Sequence, residues 1–223
     1  MKTRLVIWLI SFWQWIRQVL FTGIIEQVAE VKSISKVGKA DRAAAIAISI
    51  RLQKKTMRDL KTGDSISING VCLTALKISR TITFELIDET VNRTSLGLIK
   101  VGDKVNVERS LRLSDRLEGH FLLGHVEGVG LIKKIIKSLT GTKLWVKIQN
   151  KKLMPCIVPK GSIAVDGVSL TIIEIDEKRM LFSVGLIPHT LKATTLGSKS
   201  VGDKVNIETD IVARYLAKQL PRK

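Results

Sequence analysis

Residues 69–74 read Asn-Gly-Val-Cys-Leu-Thr and residues 166–171 read Asp-Gly-Val-Ser-Leu-Thr, so one short pattern occurs twice in the chain. Outward from this pair, the hexapeptide Val-Gly-Asp-Lys-Val-Asn occurs at 101–106 and again at 201–206. The two hexapeptides start 100 residues apart, a period far above the roughly 20–50 residues of solenoid repeats. Each copy is therefore expected to be a whole domain.

The repeat extends upstream and defines the kind of secondary structure. Gly23–Val28 aligns with Gly124–Val129. In the first copy, short runs rich in Val, Ile and Thr start at Ser65, Val71 and Thr81 and are separated by Gly, Asn and Asp. Such runs predict strands of an antiparallel barrel or sandwich.

Helices are expected at three places. One short helical turn per copy is predicted around Glu89–Ser95 and His189–Thr195. Asp210 is a suitable N-cap for a helix from Ile211 to Leu220, which Pro221 would end. This helix has an apolar face and is too short to be stable alone, so it needs a partner, either its own barrel or another subunit.

Composition excludes several classes of function. The 223 residues include 37 Lys and Arg against 20 Asp and Glu, a formal charge of +17, and 45% are hydrophobic. The charge suits nucleic acid or an anionic membrane, yet the basic residues are scattered. Two cysteines, Cys72 and Cys156, form neither a disulfide framework nor a zinc motif. Phosphate-binding, nucleophile-elbow and zinc-protease motifs are absent from the sequence.

Residues 1–19 differ from the rest, since they hold three of the four tryptophans. Their apolar core is shorter than the roughly 20 residues of a membrane-spanning helix. A targeting peptide, an interfacial segment and a start-site artefact are the open interpretations. If the segment is a start-site artefact, Leu20 stands at the true initiator position. N-terminal mass spectrometry of the native protein would test this interpretation.

Few side chains offer chemistry. His120 and His125 are five residues apart, which in a strand places them on opposite faces and excludes one shared metal. For His125, a structural role and a proton-transfer role both stay open. For Cys72, the spacing alone favours a role as a small, buried apolar residue. Three aligned pairs differ between the copies, at positions expected around a barrel mouth: Cys72 and Ser169, Asn69 and Asp166, Ile24 and His125.

These motifs resemble the riboflavin synthase family from Leu20 to the C-terminus. The resemblance rests on LFTGI at 20–24, NGVCLT at 69–74, GHFLLGHVEGVG at 119–130, DGVSLT at 166–171, LIPHTL at 186–191 and TTLG at 194–197. It implies an all-β chain of two tandem six-stranded antiparallel barrels plus a C-terminal helix. The implied domains are a barrel at 20–116, a barrel at 117–209 and a trimerisation helix at 210–223.

The resemblance also implies an activity. A riboflavin synthase is a transferase that converts two molecules of 6,7-dimethyl-8-ribityllumazine into riboflavin and 5-amino-6-(ribitylamino)pyrimidinedione without metal or organic cofactor. The family works as a homotrimer in which the first barrel of one subunit faces the second barrel of its neighbour. We therefore expect two lumazines per active site, a cytoplasmic location, no nucleic acid, no membrane partner and an open question of association with lumazine synthase.

Site residues follow from the resemblance, position by position. The polar residues expected to act in catalysis are His125, Cys72, Ser65, Thr171 and Asp210. The first-barrel pocket is expected to use Gly23, Ile24, Ile25, Cys72, Leu73, Thr74, Glu85, Leu86, Ile87, Asp88, Glu89 and Thr90. The second-barrel pocket is expected to use Gly124, His125, Val126, Lys160, Ser169, Leu170, Thr171, Gly185, Leu186, Ile187, Pro188, His189 and Thr190.

A binding protein without turnover is the alternative. Lumazine proteins, which serve as light-emitting antennae, share the duplicated barrel and hold a lumazine or flavin. The enzyme is favoured because the chain keeps Cys72, His125, the terminal helix and the Leu-Thr pair of each copy, at 73–74 and 170–171. An RNA-binding barrel is disfavoured because only 4% of the residues are aromatic and such surfaces need aromatic stacking platforms.

Overall fold

The computed structural model describes residues 20–37 and 45–219. The 1–19 segment, on which the leader interpretations rest, lies outside these residues, as do Leu220 and Pro221. Two β-sheets of similar construction follow one another along the chain, and a helix follows the second.

The first barrel contains seven strands and two short helices. The strands are β1 (Gln27–Val37), β2 (Ala45–Arg51), β3 (Ser65–Ile68), β4 (Val71–Thr74), β5 (Lys77–Ile78), β6 (Ile82–Leu86) and β7 (Lys104–Arg109), and the helices are α1 (Lys54–Met57) and α2 (Asp88–Arg93). A 3₁₀ turn, Ser95–Leu98, follows α2. The helical turn expected near Glu89 is therefore present, whereas α1 has no counterpart among the sequence predictions.

The second barrel repeats this order with six strands. They are β8 (Gly128–Ser138), β9 (Gly141–Ile148), β10 (Ser162–Val165), β11 (Val168–Asp176), β12 (Leu181–Leu186) and β13 (Lys204–Thr209). Helix α3 (Pro188–Ala193) and a 3₁₀ turn (Thr195–Ser198) lie between β12 and β13, a further 3₁₀ turn (Lys151–Cys156) precedes β10, and α4 (Ile211–Gln219) ends the described chain.

The two sheets differ in strand number: the six strands expected per copy are found in the second sheet, whereas the first sheet has seven. Strands β8 to β13 form a closed antiparallel barrel in the order β10-β11-β12-β9-β8-β13. In the first barrel the order is β4-β3-β7-β1-β2-β6-β5, so β4 and β5 together take the place of β11. Ala75 and Leu76 lie between β4 and β5, and the N–H of Ala75 donates to the carbonyl of Asp64 at 2.8 Å. The predicted all-β class with tandem barrels is confirmed.

Each barrel is filled by its own apolar side chains. Alternate residues of each strand point inward, and Ile66, Ile68 and Phe84 in the first barrel, like Phe182 and Val184 in the second, have no exposed surface. Because the interiors are packed with aliphatic and aromatic side chains, neither barrel offers its interior to a ligand. Polar side chains of the strands therefore face outward.

The barrels meet at the two-residue turns that join β3 to β4 and β10 to β11. Asn69-Gly70 and Asp166-Gly167 have positive φ angles, of 47° and 79° in the first turn and 47° and 78° in the second. The glycines touch: a Cβ on Gly70 would lie 2.7 Å from the backbone nitrogen of Gly167. These turn residues were expected near a barrel mouth, and that expectation is wrong, since they lie at the contact between barrels.

Crossed asparagines tie the turns together. The Asn106 side chain donates to the carbonyl of Asp166 at 2.9 Å and accepts from the N–H of Thr195 at 2.7 Å. Symmetrically, the Asn206 side chain donates to the carbonyl of Asn69 at 2.8 Å and accepts from the N–H of Ser95 at 2.7 Å. Both asparagines are buried, so these bonds are shielded from competing water.

One position breaks the symmetry of this network. Asp166 is completely buried, and Lys199 Nζ lies 3.2 Å from its Oδ2. The aligned residues in the first copy are neutral: Asn69 replaces Asp166, and Ile99 replaces Lys199. Burial raises the pKa of Asp166, an effect that Lys199 opposes. The charge and its countercharge therefore occur together in one copy and are both missing from the other.

This pairing predicts non-additive stability. Lys199→Ile leaves a buried carboxylate unpaired and is expected to lower the free energy of unfolding by about 3 kcal/mol or more. The double variant Lys199→Ile/Asp166→Asn has the neutral residue types of Asn69 and Ile99 in the first copy. It is expected to recover most of the lost free energy of unfolding, as measured by urea unfolding. Equal stability of the single variant and the native chain would contradict this account.

Candidate functional site

The two glycine-led segments cross from one barrel to the other. Gly23 comes just before β1 of the first barrel, yet its carbonyl accepts from the N–H of Ser169 in the second, at 2.9 Å. Gly124 comes just before β8, yet its carbonyl accepts from the N–H of Cys72 in the first barrel, also at 2.9 Å. Each strand motif is therefore completed by the segment of the other copy.

Only glycine fits at these crossings. Gly23 has a φ of 78°, and a Cβ there would lie 2.6 Å from the Cβ of Ser169. Gly124 has a φ of 72°, and its Cβ would lie 2.6 Å from the Cβ of Cys72. A side chain would meet both an unfavourable backbone conformation and a steric clash.

Packing of the following residues confirms the exchange. Ile25 packs against the core of the second barrel, and Val126 packs against the core of the first. Between the crossings, Phe21 and Leu122 exchange two backbone hydrogen bonds of 2.8 and 3.1 Å. Each of these two segments therefore lies against the other barrel from the one with which the sequence analysis grouped it.

Two composite surfaces result. The name first surface is used for Gly124–Val126, which contacts Cys72, together with the expected pocket residues Ser65, Cys72–Thr74 and Glu85–Thr90. The name second surface is used for Gly23–Ile25, which contacts Ser169, together with the expected pocket residues Ser169–Thr171 and Gly185–Thr190. The sequence gives no sign of this exchange, because Gly23 and Ser169 are 146 residues apart. The repeat also groups Gly23 with the first copy and Gly124 with the second.

Strand alternation sorts the expected site residues into inward and outward positions. Four of the leucines, Leu73, Leu86, Leu170 and Leu186, belong to the barrel cores, so their side chains do not face either surface. The outward positions are exposed or half-buried: Ile24, Thr74, Glu85, Ile87, Asp88, Glu89, Thr90, His125, Thr171, Gly185, Ile187, Pro188, His189 and Thr190. Both surfaces are thus external faces with exposed isoleucines at their rims.

Cys72 is the half-buried thiol of the first surface. Burial raises the pKa of Cys72, and the Ser65 hydroxyl opposes this shift. The group is therefore a protonated thiol at neutral pH and a weak hydrogen-bond donor. The Cys72 side chain also touches the apolar contact formed by Phe21, Leu122 and Ala164 between the barrels.

The three histidines have different surroundings. His125 is exposed and directly follows the crossing glycine, which places it at the first surface. His189 is exposed on α3, at the second surface. His120 is buried, and its Nδ1 lies 2.7 Å from Ser169 Oγ. Sequence reasoning left His120 without a role because its partner is 49 residues away.

Asp210 and Lys160 lie at the edges of these surfaces. Asp210 Oδ1 accepts from the N–H of Val212 at 2.8 Å, so the predicted N-cap of the terminal helix is confirmed. Lys160 is exposed, and its φ of 65° is the left-handed conformation. Its N–H donates to the carbonyl of Ile172 at 2.9 Å, which places it beyond Thr171 at the end of the β10-β11 hairpin.

An ion pair joins the terminal helix to Glu127, which lies three residues after Gly124. Glu127, just before β8, accepts from the N–H of Thr209 at 2.8 Å. Its other carboxylate oxygen lies 3.2 Å from Nε of Arg214 on α4. In the first copy the aligned Glu26 pairs with Arg109 of β7 instead, at 2.8 Å. The helix thus supplies the cation that the second barrel lacks.

Two buried glutamates, Glu108 and Glu208, accept hydrogen bonds from the chain at the two crossing segments. Glu108 accepts from the N–H and the hydroxyl of Thr22, at 2.6 and 2.7 Å, and from the N–H of Gly23 at 3.0 Å. Glu208 accepts from the N–H of Leu123 at 2.8 Å. Burial raises the pKa of both carboxyls to about 7, although these hydrogen bonds oppose the shift.

Metal ligands and membrane-spanning helices concern residues 20–37 and 45–219, which the structure describes. Within them, no group of three or more His, Cys, Asp or Glu residues could hold a metal ion. None of the helices that the structure describes is both long and apolar enough to cross a membrane.

Comparison with known proteins identifies the family. The model of the lumazine binding domain matches residues 22–110 and again residues 123–210. These ranges cover the two barrels with their glycine segments. The chain therefore belongs to the lumazine-binding domain family and carries the domain twice.

Its relatives identify the type of enzyme. Riboflavin synthase of Actinobacillus pleuropneumoniae is 41% identical over 206 residues, covering 92% of this chain and 91% of the relative. Riboflavin synthase of Escherichia coli (strain K12) is 41% identical, covering 86% and 87%. Riboflavin synthase of Bacillus subtilis (strain 168) is 39% identical, covering 88% of each. The expected resemblance, and with it an enzyme of the transferase class, is confirmed.

Solved structures of similar fold are complexes of LumP. LumP with riboflavin superposes with a TM-score of 0.75 at 29% identity, covering 85% of this chain and 98% of LumP. LumP with 6,7-dimethyl-8-(1'-D-ribityl) lumazine gives a TM-score of 0.73 at 27% identity with the same coverage.

The crossing glycines predict a graded stability loss. Gly124→Ala is expected to lower the free energy of unfolding by about 1–3 kcal/mol more than Gly102→Ala, measured by urea unfolding. Gly102 is the matched control, because its φ is 93° and an added Cβ would meet no atom within 4 Å. Equal losses in the two variants would mean that Gly124 does not lie against Cys72.

The buried glutamates predict a pH-dependent stability. The pKa of each carboxyl is about 7 in the folded chain, against the ordinary glutamate value of 4.5. Between those values the folded chain binds more protons than the unfolded chain, so stability falls as pH rises through about 7. We expect Tm to fall between pH 6 and pH 8, and less so in the Glu108→Gln/Glu208→Gln variant. An unchanged slope would contradict protonation of these carboxyls.

Proposed function

We propose that the chain catalyses the dismutation of two molecules of 6,7-dimethyl-8-ribityllumazine. One lumazine gives up a four-carbon unit and becomes 5-amino-6-(ribitylamino)pyrimidinedione, and the other accepts the unit and becomes riboflavin. Atoms balance between these substrates and products without an added oxidant or reductant, so no cofactor is needed for the overall step.

One observation carries the proposal: the chain has two composite surfaces of the same construction but with different polar groups. The first surface presents the Cys72 thiol and His125, and the second presents Ser169 and Ile24 at the aligned positions. Surfaces of common shape suit two copies of one molecule. Unlike side chains suit two unlike roles, a donor and an acceptor of carbon.

Placement of the surfaces on the outside of the barrels supports a site shared between subunits. Ile87 and Ile187 at their rims are 63% and 60% exposed, so a second protein surface would shield them and the ligands from water. We therefore propose that the first surface of one subunit faces the second surface of a neighbour. Holding two rings in an attack geometry contributes on the order of 7–11 kcal/mol to catalysis.

The terminal helix is the proposed contact that holds such subunits together as a homotrimer. Val212, Tyr215 and Leu216 of α4 are 54%, 65% and 57% exposed, and an apolar face of this kind favours burial against another copy. A cytoplasmic location is proposed with the activity. Association with lumazine synthase stays an open question.

Chemistry at the first surface starts with a proton. The 7-methyl group of one lumazine must lose a proton before its carbon can attack C7 of the other. His125 is the proposed acceptor, since it is exposed, directly follows Gly124, which contacts Cys72, and carries an imidazole nitrogen that can take up a proton. Ser65, Cys72, Thr171 and Asp210 are proposed as polar groups that orient the rings or transfer later protons.

Turnover is tested with the purified full chain and 6,7-dimethyl-8-ribityllumazine alone. We expect riboflavin to form at one molecule per two lumazines consumed, followed by absorbance and fluorescence. Lumazine binding without turnover would contradict the proposal and indicate a non-catalytic antenna protein, the function that the likeness to LumP favours as second candidate. Absence of both binding and turnover would contradict both functions.

A variant tests the proton acceptor. His125→Gln is expected to lower kcat by about 10²–10⁴-fold with little change in KM, because general-base catalysis contributes about that much. Lys178→Gln, at an exposed residue in the turn between β11 and β12, is the control and should keep the native kcat. Full kcat in the His125→Gln variant would exclude His125 as the base.

A further inference from the structure

The buried histidine and the serine beside it carry an inference about how the second surface recognises a ligand. His120 is 8% exposed, and its Nδ1 is 2.7 Å from Ser169 Oγ. A Cβ added at Gly119 would lie 3.1 Å from the same Oγ. The serine hydroxyl is thus confined by Gly119 and His120.

The histidine is neutral at physiological pH. Burial lowers the pKa of His120, and the carboxylate of Asp210, the charged group that acts on the ring, opposes the shift only in part. A neutral imidazole carries one proton, on Nδ1 or on Nε2. The two tautomers would have opposite consequences for Ser169.

The surroundings of Nε2 decide between them. This atom is buried and has no hydrogen-bond partner among the residues that the structure describes. A proton on Nε2 would be a buried donor without an acceptor, which is rarer and more costly in proteins than an acceptor without a donor. The proton is therefore on Nδ1, where Ser169 Oγ accepts it.

Once Oγ accepts from the ring, the serine proton has to point elsewhere. The N–H of Ser169 already donates to the carbonyl of Gly23 at 2.9 Å, so the backbone is committed as well. Ser169 is half-buried and faces outward from the barrel. Its hydroxyl proton is consequently directed at the second surface.

We propose that His120 is a positioning residue that turns Ser169 into a dedicated hydrogen-bond donor for an acceptor atom, a carbonyl oxygen or ring nitrogen, of a heterocycle bound at the second surface. The inference rests on the proposed function for the identity of the heterocycle. The first surface has the Cys72 thiol at the aligned position, and a thiol is a weaker donor than a hydroxyl. The same heterocycle is therefore anchored more firmly at the second surface than at the first.

The tautomer can be measured without any ligand. Long-range ¹H–¹⁵N spectra of the labelled full chain are expected to show a protonated Nδ1 and an unprotonated Nε2 for His120 between pH 7 and pH 8. The His120→Asn variant identifies the signals by their loss. A protonated Nε2, or a doubly protonated ring in this range, would overturn the inference whether or not the chain is an enzyme.

Ligand binding tests the consequence. Fluorescence titration with 6,7-dimethyl-8-ribityllumazine should show about 3–10-fold weaker binding at one class of site in Ser169→Ala, the loss expected for one hydrogen bond. His120→Leu should give the same loss in the native background and no further loss in Ser169→Ala. In His120→Asn the amide nitrogen can take the place of Nδ1, so binding should be restored.

Other results of the titration are equally decisive. Additive losses for His120→Leu and Ser169→Ala, or no rescue by His120→Asn, would show that the histidine acts through general structure and would overturn the positioning role. If the native chain binds no lumazine, the recognition claim fails together with the proposed function. If it binds lumazine without forming riboflavin, the proposed function fails and the donor role of Ser169 is still tested.

Discussion

The contact between the turns Asn69-Gly70 and Asp166-Gly167 is the constraint on which the rest of the structure depends. Each glycine occupies the space that a side chain on the other would need, so the barrels approach as closely as backbones allow. Asn106 and Asn206 then bond across the contact to the opposite barrel. Because these bonds are buried and reciprocal, they hold the barrels in one relative orientation.

That orientation makes the exchange of the glycine segments possible. With the turns touching, Gly23 reaches Ser169 and Gly124 reaches Cys72, and neither barrel alone contains a complete surface. A duplicated chain can then vary the two surfaces independently while the frame stays symmetric. The thiol on one side and the histidine-oriented hydroxyl on the other are the result, and they give two similar sites different hydrogen-bonding chemistry.

Local patterns in the sequence predicted most of the fold. Strand alternation, turn glycines and the repeat predicted two antiparallel β domains, as barrels or sandwiches, and the family resemblance favoured barrels. Asp210 marked the start of the terminal helix. Two features had no local signal: the exchange of segments, since Gly23 and Ser169 are far apart in sequence, and the pairing of His120 with Ser169. The leucines beside Cys72 and Ser169 were included because they belong to the motifs, although alternation in a strand turns them into the cores.

The central claim is that each ligand surface is built from both halves of the chain. A crystal structure of the full chain with 6,7-dimethyl-8-ribityllumazine tests it most directly. The account predicts one ring held between Gly124–Val126 and Cys72–Thr74 and another between Gly23–Ile25 and Ser169–Thr171. A ring inside a barrel, or a ring that contacts Gly23 and Cys72 but not Gly124, would contradict it.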